Sequence, residues 1–192
     1  MKCLIVVTGK SSAGKDTLVN RICNELNIPK VLSTTTRPPR KGEQCGVDYR
    51  FVNEQEMNYY KENNLLCNSV SYNVAGGEVW TYGYLKQDIE RHEVAICIAN
   101  PKGAKQLAEI YGDACVNILI DADMLVRLER SFSRDDITEQ KAKEIIRRLR
   151  ADEEDFKHFY VPLIVDNTKD GYNRFKKYVK IIFEYINQKK ES

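Results

Sequence analysis

Cys3-Leu4-Ile5-Val6-Val7 is an unbroken apolar run rich in β-branched residues, which predicts a strand over 3–8 buried on both faces. A polar, glycine-containing interruption follows, and Leu18, Ile22 and Leu26 then recur at helical spacing, predicting a helix over 15–26 that Asn27 and Pro29 stop. Lys30-Val31-Leu32 reads as a short strand. Asn53, followed by Glu54 and Glu56, predicts a capped helix running through Met57 and Tyr60. Leu65 to Val74 alternates as a strand does, 73–78 carries turn chemistry, and Val79 to Gly83 returns as the second arm of a hairpin. Beyond a short helix at 85–91, apolar runs at 93–99, 115–120 and 162–165 predict core strands. Helices at 102–111, around Leu125 and Leu128, around Ala142, Ile145, Ile146 and Leu149, and finally around Phe175, Val179, Ile182 and Ile186 fill the intervals. Five core strands alternating with helices predict an α/β chain with a parallel, doubly wound, five-stranded sheet whose ligands sit at the strands' carboxyl ends.

The 192 residues, 42% of them hydrophobic, suit a single domain with a substantial core. Thirty basic and twenty-eight acidic residues leave a net charge of +2, which argues against an extended nucleic-acid surface. No stretch is long and apolar enough to span a bilayer, so no membrane partner is expected. Six widely separated cysteines show no zinc-ligand spacing and read as reduced, mostly buried thiols. Lys2 and the apolar run ending at Gly9 are too short for a secretory signal, and a cytoplasmic location is the expectation. His92 and His158 have no evident partners in the sequence and receive no role.

The interruption after the first strand is Gly9-Lys10-Ser11-Ser12-Ala13-Gly14-Lys15-Asp16-Thr17. Its spacing is Gly-x-x-x-x-Gly-Lys between a strand and a helix, the context of a phosphate-binding loop. Gly9 and Gly14 permit backbone that lets successive N–H groups, those of Ser11, Ser12 and Ala13 included, turn around a nucleotide phosphate. Lys15 supplies a mobile positive charge to the β and γ phosphates. Where a hydroxyl would ordinarily follow the lysine stands Asp16, with Thr17 one residue later to bond the α-phosphate. Two readings of Asp16 stay open: a magnesium ligand, direct or through water, or a negative charge stabilised by about 0.3–1 kcal/mol at a helix N-terminus.

A second informative stretch, Ser33 to Phe51, holds Arg37 and Arg40 around Pro38 and Pro39, so that two guanidinium forks can aim at one anion. With the phosphate loop, the pattern Ser-x-x-Thr-Arg-x-x-Arg-x-Gly-Glu-x-x-Gly-x-Asp-Tyr resembles the guanylate kinase family. The resemblance covers nearly the whole chain. It implies a core of 1–32 and 85–192, a monophosphate-binding lobe over 33–84 and a helical lid at about 130–150. It implies that Ser33, Arg37, Arg40, Tyr49 and Tyr82 hold a nucleoside monophosphate, that Asn167 lies beside the adenine of ATP, and that magnesium accompanies ATP. Arg148 matches a lid arginine, while Arg130 and Arg134 compete for the other, so the catalytic set is Lys15, Arg37, Arg148 and Arg134. The implied reaction is ATP-dependent phosphorylation of GMP or dGMP.

The sequence departs from the family where the base is read. The family's guanine-gripping glutamate falls near Cys67, and an acidic position three before Gly103 is Asn100. Ser71, Asn73, Glu78 and Asn100 are the candidate substitutes, each with an ordinary reading as hairpin residue or helix cap. A missing carboxylate bears directly on base choice, because an unpaired base edge in a hydrogen-bonding site is costly. Two alternatives are therefore kept: a kinase for another nucleoside monophosphate, and a non-catalytic protein-binding module.

Overall fold

Strand β1 (Cys3–Thr8) is buried at every position, as its unbroken apolar run requires. In the computed structural model the described residues are 2–40, 42–73, 77–133 and 138–191, with side chains described to 186. Their elements follow in the order α1 (Lys15–Leu26), β2 (Thr34–Thr35), β3 (Arg50–Phe51), α2 (Glu54–Glu62), β4 (Leu66–Asn73), β5 (Val79–Leu85), α3 (Lys86–Glu90), β6 (Val94–Ile98), α4 (Pro101–Tyr111), β7 (Cys115–Asp121), α5 (Met124–Phe132), α6 (Glu139–Phe156), β8 (Leu163–Asp166) and α7 (Tyr172–Glu191). The chain is α/β, with a parallel sheet of order β6-β1-β7-β8 and a second sheet of order β3-β2-β5-β4. Two units are distinguishable, Met1–Val6 with Ile28–Val116, and Val7–Asn27 with Asn117–Ser192.

Among the described residues the parallel sheet has four strands, where the sequence predicts five. Lys30-Val31-Leu32 makes a single parallel bridge, Lys30 opposite Ile96, instead of a strand. Val31 N–H donates to the Ile96 carbonyl at 2.8 Å and Ile96 N–H to the Pro29 carbonyl at 2.9 Å. Pro29 has no N–H to extend the ladder on one side, and on the other the Ile98 N–H goes to the Tyr84 hydroxyl at 3.2 Å.

In the first unit, β4 and β5 form the predicted hairpin, with Val70 opposite Tyr82 and Asn73 opposite Val79; the turn at 74–76 lies outside the described residues. β2 pairs with β5 so that Thr35 faces Tyr82 and Thr34 faces Gly83. Asn53 caps α2 as expected, accepting from Glu56 N–H while the Glu56 carboxylate accepts from Asn53 N–H. At Gly83 of β5 a Cβ would lie 2.5 Å from the Asn68 carbonyl oxygen of β4. Because the obstacle is backbone, Gly83→Ala is expected to cost about 1–3 kcal/mol, read as a lower urea midpoint.

In the second unit, β7 and β8 pair in parallel from Ile118–Leu163 to Asp121–Asp166. Phe175 and Val179 of α7 are fully buried, as their spacing predicts. Tyr172 and Lys176 of α7 both donate to Glu25 of α1, and the Arg21 guanidinium lies 3.5 Å from the Tyr172 ring centroid. Two helices differ from their apolar patterns. On α5, Leu125 is 78% exposed while Arg127 is 1% exposed. On α6 only Leu149 is buried, and Ile146 faces outward. All six cysteines are free thiols, four of them buried. Among the described residues no helix is long and apolar enough to cross a membrane.

Candidate active site

The phosphate loop belongs to the second unit and is shaped by close approaches. Gly14, the residue before α1, has φ 88°, and a Cβ there would stand 2.5 Å from Asn167 Nδ2. A Cβ on Gly9 would stand 2.4 Å from the Ile120 carbonyl oxygen. Gly14 offers no side-chain cap to α1. The N–H groups at that helix end are thus left for an anionic ligand. Lys15 and Asp16 open α1, with Lys15 Nζ 4.0 Å from the Asp16 carboxylate and Asp16 largely exposed. Thr17, in the same turn, is exposed.

Asn167 is 7% exposed and both ends of its amide are used. Nδ2 donates to the Ala13 carbonyl at 2.8 Å, and Oδ1 accepts from Gly171 N–H at 3.0 Å. It braces the loop from beneath. Asn167→Ala removes that brace and is expected to cost about 1–3 kcal/mol of stability by stranding the partners of a buried amide, read as a lower urea midpoint.

The arginines of α5 and α6 are held by neighbours of their own unit. Arg130 Nη2 donates to the Asn167 carbonyl at 2.8 Å, placing this guanidinium against the loop's brace. Arg148 Nε donates to Glu144 Oε1 at 2.8 Å, one turn earlier on α6. The Arg147 hydrogen bond is the main force pulling the Glu144 carboxyl to about 2; burial opposes it and Arg148 adds to it. That ion pair is therefore intact throughout the neutral range. Arg134 lies outside the described residues.

Sequence reasoning gave no role to Arg127, which proves to be tied to the loop's surroundings. Its Nη2 donates to Glu153 at 3.2 Å and its Nη1 lies 3.5 Å from Asp152. Glu153 also accepts from Lys10 Nζ at 3.0 Å, and Asp152 accepts from the Ser11 N–H at 2.7 Å. The Ser12 hydroxyl pairs with the Ser131 hydroxyl at 2.7 Å. No local signal foretells this cluster, since its acidic members lie some twenty-five residues from Arg127 along the chain.

In the first unit the structure gathers Arg37, Tyr49 and Tyr82. Arg37 is 3% exposed, and its Nη2 donates to both carboxylate oxygens of Glu43 at 2.9 Å. Its guanidinium carbon lies 5.1 Å from the Tyr49 ring centroid and 5.6 Å from that of Phe51. Burial works against the charge, yet the Glu43 hydrogen bond and the nearby tyrosines leave the Arg37 pKa raised, so the guanidinium stays charged. Tyr82 meets Tyr49 edge-on at 6.3 Å and Tyr72 edge-on at 5.8 Å. Arg40 is at the exposed rim, its N–H donating to Glu43 at 2.7 Å. The Ser33 hydroxyl reaches the Gly83 carbonyl only at 3.4 Å. Glu43 stands inside the sequence motif, but its part in orienting Arg37 emerges only from the contact.

Three of the four candidate base-reading residues are engaged by protein neighbours. Ser71 pairs its hydroxyl with Thr81 at 2.9 Å across the hairpin, Glu78 accepts from Trp80 Nε1 at 3.3 Å, and Asn73 ends β4 in an exposed position. Asn100 caps α4, its Oδ1 accepting from Gly103 N–H at 2.7 Å, while its Nδ2 donates to the Tyr72 hydroxyl. Its oxygen is spent on the cap, so Asn100 is a donor toward Tyr72. Cys67 is buried against the Tyr111 hydroxyl at 2.9 Å, and burial pushes its thiol pKa up.

The guanylate kinase family model matches residues 1–185. The chain belongs to the guanylate kinase family. It is 26% identical over 193 residues to a guanylate kinase of Malacoplasma penetrans, covering 97% of this chain and 95% of that one. It is 30% identical over 152 residues to a guanylate kinase of Prochlorococcus marinus, covering 78% and 80%. The crystal structure of a guanylate kinase from Anaplasma phagocytophilum superposes with a TM-score of 0.69 at 21% identity, covering 95% of this chain and 85% of that one, a likeness of fold. As a member of this family, the chain is a nucleoside monophosphate kinase.

Proposed function

We propose that the chain transfers the γ-phosphoryl group of ATP to the phosphate of GMP, giving ADP and GDP. The observation that carries this reading is the buried Arg37, fixed by Glu43 beneath Tyr49 and Phe51. Burying a guanidinium is costly unless it is paired, and here it is held ready beside two tyrosine hydroxyls. Such an arrangement suits a dianionic phosphate. Arg37, Arg40, Tyr49, Tyr82 and Ser33 hold the acceptor phosphate, and the loop Gly9–Thr17 with Lys15 holds the phosphates of ATP.

Phosphoryl transfer asks the protein mainly for positioning and for cations around the transferring group. Lys15 meets the charge on the β and γ phosphates, and Arg130 and Arg148 on the lid helices α5 and α6 supply further positive charge. Exclusion of water turns that arrangement from hydrolysis to transfer. Among the described residues no cluster of three His, Cys, Asp or Glu side chains could hold a metal by itself. An exposed Asp16 carboxylate beside the loop nonetheless suits magnesium, which commonly takes one or two carboxylates with phosphates and water. When bound, that ion supplies charge neutralisation to the phosphates.

One observation favours a second reading, a kinase for a different nucleoside monophosphate: Cys67 and Asn100 place a thiol and a spent amide where the family resemblance implies carboxylates. A coupled ADP-release assay with ATP and magnesium, offering GMP, dGMP, AMP, CMP, UMP and the other deoxynucleoside monophosphates separately, decides between them. The proposal expects GMP to give the highest kcat/KM. A clear preference for a non-guanine acceptor would replace it with the second reading.

A further inference from the structure

The carboxylates of Asp152 and Glu153 on α6 hold a backbone N–H and a side-chain ammonium of the loop Gly9–Thr17. Asp152 takes the Ser11 N–H of the phosphate loop at 2.7 Å, a charge-assisted bond at the short end of the usual range. Glu153 takes the Lys10 ammonium at 3.0 Å, in the same loop. Between them sits Arg127, its side chain 2% exposed, paired with Glu153 at 3.2 Å and lying 3.5 Å from Asp152. Its Nε and Nη1 are buried without hydrogen-bond partners. Nη1 is held by Asp152 as an ion pair without a hydrogen bond, so the Asp152 carboxylate is shared between this guanidinium and the loop amide.

We propose that Asp152, supported by Glu153, is an internal stand-in for phosphate that latches α6 to the loop, and that ATP binds by displacing it. This rests on the reading of Gly9–Thr17 as the ATP site. A loop amide cannot serve two acceptors well at once, so each occupant excludes the other. The nucleotide-free protein then pays a conformational tax on ATP affinity, set by the fraction of molecules whose latch is open. Displacement sets α6, and with it Arg148 four residues before Asp152, free to move when ATP arrives. Loading of the donor and mobilisation of the lid helix thereby become one event.

The test measures ATP and ADP affinity by calorimetry, without acceptor, for the wild type, Asp152→Ala and Asp152→Asn. Asp152→Ala deletes the internal anion and is expected to bind ATP roughly tenfold more tightly, the scale of one charge-assisted hydrogen bond. Asp152→Asn keeps the shape and an acceptor oxygen without the charge, and falls between. The KM for ATP should drop in the same order. Unchanged or weaker ATP binding in both variants would overturn the latch. Hydrogen exchange on the wild type gives a reading independent of either variant's folding: residues 148–156 should exchange faster once ATP is bound, and unchanged or slower exchange would contradict displacement. If no form binds ATP, the phosphate-loop reading falls and the latch with it. If ATP binding behaves as expected but GMP is not phosphorylated, the latch stands and the acceptor assignment fails.

Discussion

Lys15→Ala is expected to lower kcat for GMP phosphorylation by about 10³-fold or more, the scale on which single phosphate-directed cations act in phosphoryl transfer. The fold should survive. Lys15 opens α1 and its side chain is 21% exposed, with the Asp16 carboxylate 4.0 Å away and itself exposed to water. Removing it therefore strands no buried charge, and surface pairs of this kind contribute about 0–1 kcal/mol. A thermal melt within a few degrees of wild type, together with the kinetic loss, separates a catalytic role from a structural one. Wild-type turnover in a folded Lys15→Ala protein would remove Lys15 from the mechanism.

The second large effect is expected at Arg37, and it differs in kind. Arg37→Ala should raise the KM for GMP and cut kcat/KM by about 10³-fold, because bonds between charged partners contribute about 1.5–3 kcal/mol each and a guanidinium fork suits a phosphate. The KM for ATP should change little if Arg37 serves the acceptor phosphate, as proposed. Stability should fall as well, by about 3 kcal/mol, because Glu43 loses both hydrogen bonds from the guanidinium and keeps the Arg40 N–H. Arg37→Lys keeps the charge but not the fork, so it should recover much of the stability and little of the GMP affinity. Equal loss of ATP and GMP affinity in Arg37→Ala would mean that the residue acts through the fold alone.

What was legible in the sequence is what depends on local chemistry. The β1 run, the glycines of the phosphate loop, the Asn53 capping box and the alternation of the β4–β5 hairpin each encode their structure within a few residues, and each reads correctly. The motif that carries Arg37, Arg40 and Tyr49 suggested the proposed acceptor site through the family resemblance, and the structure brings Arg37, Tyr49 and Tyr82 together. What escaped depends on distant partners. Arg127 looks like one more helical arginine until Asp152 and Glu153 of α6 arrive beside it. Ile146, at an apolar position by periodicity, faces outward because the pattern cannot say which neighbour will cover a helix. Lys30-Val31-Leu32 has strand-like composition, yet its hydrogen bonds amount to one bridge because Pro29 ends the ladder on one side and the Tyr84 hydroxyl takes the Ile98 N–H on the other. The contacts of the candidate base readers were likewise only partly legible: the Asn100 helix cap is local, whereas the Ser71–Thr81 hydroxyl pair spans the hairpin.

The γ-phosphoryl group of ATP is expected to pass directly to GMP. Incubation of the wild-type protein with magnesium, GMP and ATP labelled in the γ-phosphate, with the products separated by ion exchange, tests it most directly. The account predicts label in the β-phosphate of GDP, one labelled GDP for each ADP formed, and little labelled inorganic phosphate. Label appearing in inorganic phosphate, or ATP bound and left unreacted beside GMP, would contradict it.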